Sequence, residues 1–228
     1  WRSGRKTSER RCAMTPAAQL AQGLSTLGIA LPAPAQQKLL AYATLLAKWN
    51  RTYRLTAMSD PALAVSHHLL DSLALLPFVE APPLLDVGSG GGMPGIPLAI
   101  ARPDLPVFLL DSNSKKAAFL QQVAIELGLG NIAVHCGRVE AYRPTTGFAA
   151  ITARAFSHLA EFVQLSRHLL AEDGQWLAMK GVWPQDEIAD LPAGVRVDGV
   201  HRLAVPGVEG ERHLVVMSIG HAGNSGDS

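Results

Sequence analysis

The chain has 228 residues, of which 48% are hydrophobic and 17% charged, so it can bury a sizeable core and is not a disordered tail. Its formal net charge is +1, but residues 1–13 carry five cations and one anion, which leaves about −3 on the rest. A body of that charge is not expected to coat polyanions in general.

Residues 1–13 are interpreted as a basic, disordered extension before a natural start at Met14, either an upstream segment or a leader added by cloning. No run approaches the roughly eighteen apolar residues of a membrane span. Only Cys12 and Cys136 occur, without a CxxC motif, which disfavours a disulfide scaffold or a cysteine–zinc site and indicates a reducing cytoplasm. Residues 221–228 are predicted to form a disordered tail.

The N-terminal third is predicted to be helical. Apolar residues recur at steps of three and four within 15–28 and 34–50, as on one face of a helix. A third helix is predicted from Asp60, a cap followed by proline, through His67 to Leu76, ending before Pro77. We therefore predict a helical cap over residues 14–80.

Beyond Pro83, short apolar segments alternate with helical ones, which predicts a parallel sheet flanked by helices. The predicted strands are LLDV, VFLLD, IAVHC, FAAIT and QWLAMK. Residues 194–205 and 211–220 both resemble strands with no helix between them, so an antiparallel edge pair should complete the sheet. The predicted fold class is α/β, a doubly wound and mostly parallel sheet with an antiparallel edge, over residues 81–220.

A glycine-rich loop, GSGGGMPG, follows the first predicted strand. It departs from GxGxxG because Met93 stands where the third glycine belongs. Pro94 and Pro97 would supply no N–H to a pyrophosphate at the start of the next helix, and no lysine or arginine lies in the loop. The loop therefore favours a cofactor without phosphates, S-adenosylmethionine, placed beside Asp86 and the glycines. The alternative is a tight turn without a ligand.

Residues after the second and third strands complete the predicted cofactor site. Asp111, 21 residues after Gly90, ends the second strand, where a carboxylate accepts hydrogen bonds from ribose hydroxyls. NAD-binding folds share this feature, so it does not distinguish the two cofactors. Ser112 either joins the site or caps the helix that begins at Ser114. The segment 137–140 either holds an adenine or is a solvated turn.

Three cations follow successive strands: Arg138 the third, Arg154 the fourth and Lys180 the fifth. Because ligands of open α/β sheets bind beyond the carboxyl ends of the strands, we expect all three to surround one crevice that holds a cofactor carboxylate or an RNA phosphate. Arg212 and His213, on the last hairpin, either extend this surface or lie on a solvated strand face.

His68 and Asp71 lie three residues apart on the third predicted helix. They are candidates for contact with a ligand, or they order the junction between the cap and the sheet. No third or fourth ligand is in view, so no metal site is predicted. Lys48, Arg51 and Arg54 form a modest basic patch at the end of the second helix, which contacts RNA or is simply the polar face.

Together these motifs resemble the RsmG family, also called GidB, of bacterial 16S ribosomal RNA guanine-N7 methyltransferases. The resemblance runs from about Leu39 to Ile219. The matching stretches are Trp49-Asn50, Leu55-Thr56-Ala57, His68-x-x-Asp71-Ser72-Leu73, Leu85-Asp86-Val87-Gly88-Ser89-Gly90, Pro94-Gly95-Ile96-Pro97-Leu98, Lys115-Lys116, Phe119-Leu120, Gly137-Arg138-x-Glu140, Arg154-Ala155, Lys180-Gly181 and Arg212-His213-Leu214-Val215-Val216.

The resemblance implies a Rossmann-like class I methyltransferase fold. It also implies a set of cofactor contacts at Gly88, Met93, Val139, Glu140 and Arg154, completed by Gly90 and Asp111. Three residues depart from the family pattern: Arg54 replaces a usual Asn, Met93 a usual Phe or Leu, and Val139 a usual Ala.

The activity implied by the resemblance is methyl transfer from S-adenosylmethionine to N7 of one guanine, position 527 in the usual numbering, in 16S ribosomal RNA. Guanine N7 presents a lone pair, so no general base is required, and Arg138, Arg154 and Lys180 would position the reactants. The alternatives are an NAD-dependent reductase and a non-catalytic ribosome assembly factor. We further expect a monomeric cytoplasmic protein whose substrate is the small ribosomal subunit or its precursor. The candidate RNA contacts are His68, Asp71, Lys180, Arg212 and His213.

Overall fold

A computed structural model describes residues 14–56, 60–154, 156 and 158–220. The predicted basic extension, residues 1–13, and the predicted tail, residues 221–228, lie outside the described residues. In the part of the chain that is described, no helix is long and apolar enough to cross a membrane.

Two helices open the fold where apolar periodicity predicted them. Helix α1 spans Pro16–Thr26, and its N-cap Thr15 accepts a hydrogen bond from a backbone N–H of the first turn. Helix α2 spans Ala33–Tyr53 and extends beyond the predicted end at residue 50. It ends at Arg54, which has a φ of 50° in the left-handed region and donates its N–H to the carbonyl of Asn50.

The third helical segment is not the single helix predicted from Asp60 to Leu76. It comprises a 3₁₀ turn at Pro61–Leu63, a π-helix at Val65–Leu70, helix α3 at Asp71–Leu73 and a 3₁₀ turn at Leu76–Phe78 that contains Pro77. Two backbone carbonyls of this segment accept hydrogen bonds from side chains. Arg154 donates to the carbonyl of His67 over 3.0 Å, and Ser72 donates to the carbonyl of His68 over 2.6 Å. Such competing donors account for the departure from a regular α-helix.

Seven strands form one sheet in the order β3-β2-β1-β4-β5-β7-β6. Their bounds are β1 Leu84–Val87, β2 Val107–Asp111, β3 Ile132–Cys136, β4 Phe148–Ala153, β5 Leu170–Lys180, β6 Val195–Arg202 and β7 His213–Ile219. The first five strands pair in parallel, while β7 runs antiparallel between β5 and β6. This topology confirms the predicted fold class, including the antiparallel edge.

Helices connect the parallel strands, as predicted, and α5 begins at the predicted Ser114. They are α4 Gly95–Ala101, α5 Ser114–Glu126, α6 Leu159–Ser166 and the short α7 Gln185–Ala189. A 3₁₀ turn occupies Arg167–Leu169 after α6, and β5 begins at Leu170, five residues before its predicted start.

The core lies on both faces of the sheet. On one face, Leu39 of α2 and Leu84 of β1 belong to the same buried cluster, together with residues of α1, α4 and α5. On the other face, Leu85 joins residues of α6, including Phe162, and of the last strands. Because the N-terminal helices share a continuous core with the sheet, the division into a cap at 14–80 and a catalytic domain at 81–220 stays a prediction.

Candidate active site

A glycine-rich loop joins β1 to α4 and turns back over β2. The backbone N–H groups of Gly88 and Ser89 both donate to the carbonyl of Leu110, over 2.8 and 3.1 Å. Gly88 and Gly90 have φ angles of +70° and +58°, in the region that favours glycine. A Cβ atom at Gly88 would meet no heavy atom within 4 Å. Open space therefore borders the loop, and a ligand can approach its backbone.

Two buried side chains hold this loop from behind. Tyr42 of α2 donates its hydroxyl hydrogen to the carbonyl of Gly91 over 2.6 Å, and burial raises the pKa of its phenol. Asp86 is fully buried, accepts the N–H of Gly95 over 3.0 Å, and has a pKa raised by burial to about 7. Asp86 thus supports the loop from behind and lines neither of the two cavities described below, and the placement of the cofactor beside its carboxyl group stays a prediction.

Tyr42 was not among the predicted site residues. A phenol on the apolar face of a predicted helix indicates a hydroxyl with a buried partner, but its partner is 49 residues away in the chain. The contact links the N-terminal helices directly to the glycine loop.

Asp111 lies at the end of β2 and connects the loop to the next helix. Its Oδ2 accepts the N–H of Gly90 over 2.8 Å, and its Oδ1 accepts the N–H of Asn113 over 2.8 Å. Asn113 caps α5, accepting from two N–H groups of the first turn. The capping alternative for Ser112 was therefore wrong, and Ser112 instead lines the cavity described next.

A first cavity of about 340 Å³ lies beyond the carboxyl ends of β1 to β3. It brings together most of the predicted cofactor residues. The lining residues are Val87, Gly88, Leu110, Asp111, Ser112, Lys116, Gly137, Arg138, Val139, Glu140, Phe156 and Leu165. Lys116, Phe156 and Leu165 were not predicted as cofactor contacts, since they carry no local signal of ligand contact.

One rim of this cavity is an exposed ion pair. Arg138 and Glu140 are 3.2 Å apart, and the arginine side chain is 77% exposed. Hydrogen bonds from the backbone N–H of Glu140 and from Arg138 lower the pKa of the glutamate. The cavity thus presents two carboxylates, those of Glu140 and Asp111, to whatever it binds.

A second cavity of about 370 Å³ lies under the cap, at the ends of β4, β5 and β7. Its lining residues are Thr56, His67, His68, Asp71, Arg154, Met179, Lys180, Gly181 and Arg212. The prediction that three cations surround one crevice was wrong for Arg138, which lines the first cavity. Arg154 and Lys180 do lie together, and Arg212 joins them.

Asp71 holds both arginines of the second cavity. Its Oδ2 lies 3.4 Å from Nη1 of Arg154, and its Oδ1 lies 3.2 Å from Nε of Arg212. Burial raises the pKa of Asp71, and the two guanidinium charges oppose that rise. Arg154 also donates from Nη2 to Sδ of Met93 over 3.5 Å, so it connects Asp71 to the glycine loop.

His68 and His213, the two histidines predicted as candidate RNA contacts, are both buried. Burial and the charge of Arg154 lower the pKa of His68 to about 4, so its imidazole is neutral at physiological pH. His213 does not line the second cavity, and its ring packs against that of Trp183. Among the described residues, neither Nδ1 atom has a hydrogen-bond partner. The described residues contain no cluster of three or more metal-ligating side chains.

Lys180 lies between the two cavities. Its Nζ donates to the carbonyl of Phe156, which lines the first cavity, over 3.1 Å, and forms a 2.6 Å ion pair with Glu187. Glu187 of α7 also accepts the N–H of Leu159, at the start of α6, over 2.8 Å. Glu187 was not among the predicted site residues, because α7 is short and carries no apolar pattern.

The basic patch predicted at the end of α2 is solvent-exposed. Lys48, Arg51 and Arg54 all lie on the surface and line neither of the two cavities.

Comparison with known proteins identifies the family. The family model GidB, described as rRNA small subunit methyltransferase G, matches residues 35–215. The chain belongs to the GidB family. Relatives named "Ribosomal RNA small subunit methyltransferase G" from Laribacter hongkongensis and Chromobacterium violaceum are 56% and 58% identical over 201 residues. The alignments cover 88% of this chain and 97% and 96% of the relatives, which confirms the predicted resemblance.

Solved structures that resemble this GidB chain support the predicted fold. A SAM dependent methyltransferase from Aquifex aeolicus matches with a TM-score of 0.54 and 17% identity, covering 77% of this chain and 97% of that one. The glycopeptide N-methyltransferase MtfA, complexed with SAM, matches with a TM-score of 0.56 and 12% identity, covering 68% and 88%. At these identities the likeness concerns the fold alone.

Two departures from the GidB pattern have a structural context. Arg54 adopts a φ of 50°, in the left-handed region that Asn tolerates better than Arg. Met93 is 4% exposed, and its Sδ accepts from Arg154, a contact that a Phe or Leu side chain could not make. The third departure, Val139, lines the first cavity.

Proposed function

We propose that this chain transfers a methyl group from S-adenosylmethionine to N7 of one guanine in 16S ribosomal RNA. The observation that carries the proposal is the pair of neighbouring cavities at the strand ends, one presenting carboxylates and the other cations. Membership of the GidB family supports this activity. It favours a methyltransferase over an NAD-dependent reductase and over a non-catalytic ribosome assembly factor.

The first cavity suits the adenosine part of the cofactor. The carboxylates of Asp111 and Glu140 can accept hydrogen bonds from ribose hydroxyls and from an adenine amino group. Val139 and Leu165 offer apolar surface to a ring, and Gly88 leaves its backbone open to close approach. When bound, S-adenosylmethionine supplies an electrophilic methyl group on a sulfonium, which carries its own leaving group.

Arg154 is the candidate for contact with the cofactor carboxylate. Its guanidinium lies between Met93 of the glycine loop and Asp71 of the cap, and its side chain is 26% exposed. A guanidinium can pair with two carboxylates at once, because it presents five N–H donors in a planar fork.

The second cavity suits RNA. Beside Arg154, Lys180 and Arg212 supply positive charge for phosphate, and an arginine or a lysine recognises phosphate through charge-assisted hydrogen bonds. Asp71 is already bonded to both arginines, so it positions these cations rather than binding the RNA backbone, and His68 is neutral and offers no charge to a phosphate.

The chemistry needs no general base, because guanine N7 carries a lone pair and no proton at neutral pH. The residues of the second cavity agree with this expectation. His68 has a pKa of about 4, and both oxygens of Asp71 accept from arginines. Arg138, Arg154 and Lys180 would hold the cofactor and the RNA so that N7 lies in line with the methyl group, in a site that excludes water. Single-turnover rates with bound cofactor should therefore be nearly flat from about pH 6 to 9.

The proposal also covers the form of the RNA substrate, the target position, the oligomeric state and the cellular location. We propose the small ribosomal subunit or its precursor as the substrate, since a body of net charge about −3 offers little to naked RNA. We also propose position 527 as the target, a monomeric enzyme and a cytoplasmic location.

The test is mass mapping of 16S ribosomal RNA from cells with and without the gene. One guanine should lose an N7 methyl group when the gene is deleted, and should regain it when the gene is restored. A matched control restores the gene with Arg154→Ala, which should leave the guanine unmethylated. Identical RNA in all strains would refute the proposal. Calorimetry with S-adenosylmethionine and with NAD then separates the methyltransferase from the reductase.

A further inference from the structure

Two consecutive apolar residues are exposed beside the second cavity. Val182 is 71% exposed and Trp183 is 52% exposed. They directly follow Lys180 and Gly181, which line that cavity, whereas Trp183 itself lies beyond the lining residues. Adjacent large apolar side chains left in water indicate an interaction surface.

The segment that carries Trp183 is held at both ends. At one end, Lys180 lies opposite His213 in the register of β5 and β7. At the other end, Glu187 forms its 2.6 Å ion pair with Lys180 and so closes the intervening residues into a loop. The rings of Trp183 and His213 are perpendicular, 5.5 Å apart. Because these contacts restrain the indole before a ligand arrives, binding to it loses little conformational entropy.

The neighbouring charges indicate the chemistry of the ligand. Arg154, Lys180 and Arg212 line the adjacent cavity. An exposed aromatic ring beside several cations matches a nucleotide, which has an anionic phosphate and a base with a flat π-face. Asp71 and Glu187 pair with these three cations and leave one net positive charge. An apolar protein segment would displace water from this charged cluster without supplying an acceptor, which is unfavourable.

We propose that Trp183 stacks on an unpaired base next to the target guanosine of the RNA. A guanine that reaches the cofactor must leave its stack, so the flanking base loses a neighbour, and the indole replaces that neighbour. The inference rests on the proposed function and extends it by naming the residue that binds the flanking nucleotide.

Methyl transfer to small ribosomal subunits that lack the methyl group tests the proposal. The variants are Trp183→Ala, Trp183→Leu and Trp183→Phe. Trp183→Ala should raise KM for the subunits by roughly 5- to 150-fold, the range that corresponds to the loss of one base–aromatic stack. The Leu variant should resemble the Ala variant, whereas the Phe variant should keep most of the affinity. The Kd of S-adenosylmethionine should not change.

The matched control is Ile125→Ala. Ile125 of α5 is 78% exposed and lines neither cavity, so its variant reports the loss of an exposed apolar side chain alone. Equal KM values for Trp183→Ala and Ile125→Ala would refute stacking, as would a wild-type KM for Trp183→Leu. A weaker Kd for S-adenosylmethionine in Trp183→Ala would place its effect in the cofactor site and would also overturn the proposal.

A second readout does not depend on methyl transfer. Every protein in this measurement carries Trp1→Phe, which removes the tryptophan of the basic N-terminal segment. Trp176 is fully buried and Trp49 is half-buried, so a stacked base should then mainly quench the emission of Trp183. Small subunits that lack the methyl group should quench the protein that keeps Trp183, and Trp183→Phe should remove that quench. An unchanged quench in Trp183→Phe would overturn the stacking proposal. If the wild-type protein methylates no subunits, the proposed function fails, whatever the quench shows.

Discussion

Removing one oxygen atom tests whether the N-terminal helices hold the cofactor loop. The variant Tyr42→Phe deletes the hydroxyl that donates to the carbonyl of Gly91 over 2.6 Å and leaves the ring in place. Tyr42 is 0% exposed and Gly91 is buried, so water cannot readily replace the lost donor.

The expected magnitude follows from that burial. Leaving a buried acceptor without its donor costs about 1–3 kcal/mol in the free energy of unfolding. For a protein of this size, each kcal/mol lowers Tm by about 2–4 °C. If the cofactor binds the loop in its folded conformation, as proposed, part of the lost free energy should reappear as weaker binding. At most, each 1.4 kcal/mol lost from the stability of the loop would raise the Kd of S-adenosylmethionine about tenfold.

Urea unfolding and calorimetry with S-adenosylmethionine measure the two effects. The control is Tyr53→Phe, whose residue is 45% exposed at the end of the same helix and should change stability by less than about 0.5 kcal/mol. If Tyr42→Phe matches this control in stability and leaves the Kd unchanged, the hydrogen bond does not couple the cap to the loop.

Three further predictions follow from single residues. Asp111→Ala should weaken binding of S-adenosylmethionine, since it removes a charged acceptor whose hydrogen bonds contribute roughly 1.5–3 kcal/mol each. The control Ser112→Ala should have a smaller effect. Equal Kd values for the two variants in calorimetry would contradict this prediction. Arg54→Asn should raise the free energy of unfolding in urea by roughly 1 kcal/mol, because Asn tolerates the left-handed backbone; an unchanged value would argue against strain there. The pKa of His68 is lowered from 6.5 to about 4, so the neutral form is favoured in the fold, and its contribution to stability should be lost as the pH falls from 6.5 towards 4. In urea titrations across that range, His68→Gln should lose less stability than the wild type, and an equal loss would assign the acid sensitivity to other groups.

The sheet was largely predictable because its strands are local patterns. Strands β1, β2 and β3 match the predicted apolar runs residue for residue, and β4 ends one residue later, at Ala153. Strand β5 was predicted too short because Glu172 and Asp173 interrupt its apolar run. Because two charged residues stand next to each other near its start, the first half of β5 lacks the alternation of apolar and polar residues that predicts a strand.

The distant contacts of the site were not predictable from local patterns. The π-helix forms where the guanidinium of Arg154 bonds to a carbonyl 87 residues earlier. Glu187 is visible as a functional residue only once Lys180 is seen beside it. In each case the signal is a pair of residues from separate elements, and no spacing along the chain encodes it.

The three predicted cations show both what strand order predicts and what it cannot predict. Strand order placed Arg138, Arg154 and Lys180 at one edge of the sheet, as observed. The sequence could not show that these cations line two separate cavities. The hydrogen bond from Lys180 to the carbonyl of Phe156 lies between those cavities.

The continuous core beneath α1 and α2 has an evolutionary consequence. Leu39 and Leu46 of α2 cover the same face of the sheet as Leu84 and Leu109, so the sheet without these helices would expose that face to water. Many enzymes acquire new targets by exchanging a recognition module at a flexible linker. Here that route is closed, because recombination near residue 80 would separate two halves of one core. Under the proposed function, we therefore expect a change of RNA target to come from point substitutions on the cap surface and in loops such as the one that carries Trp183.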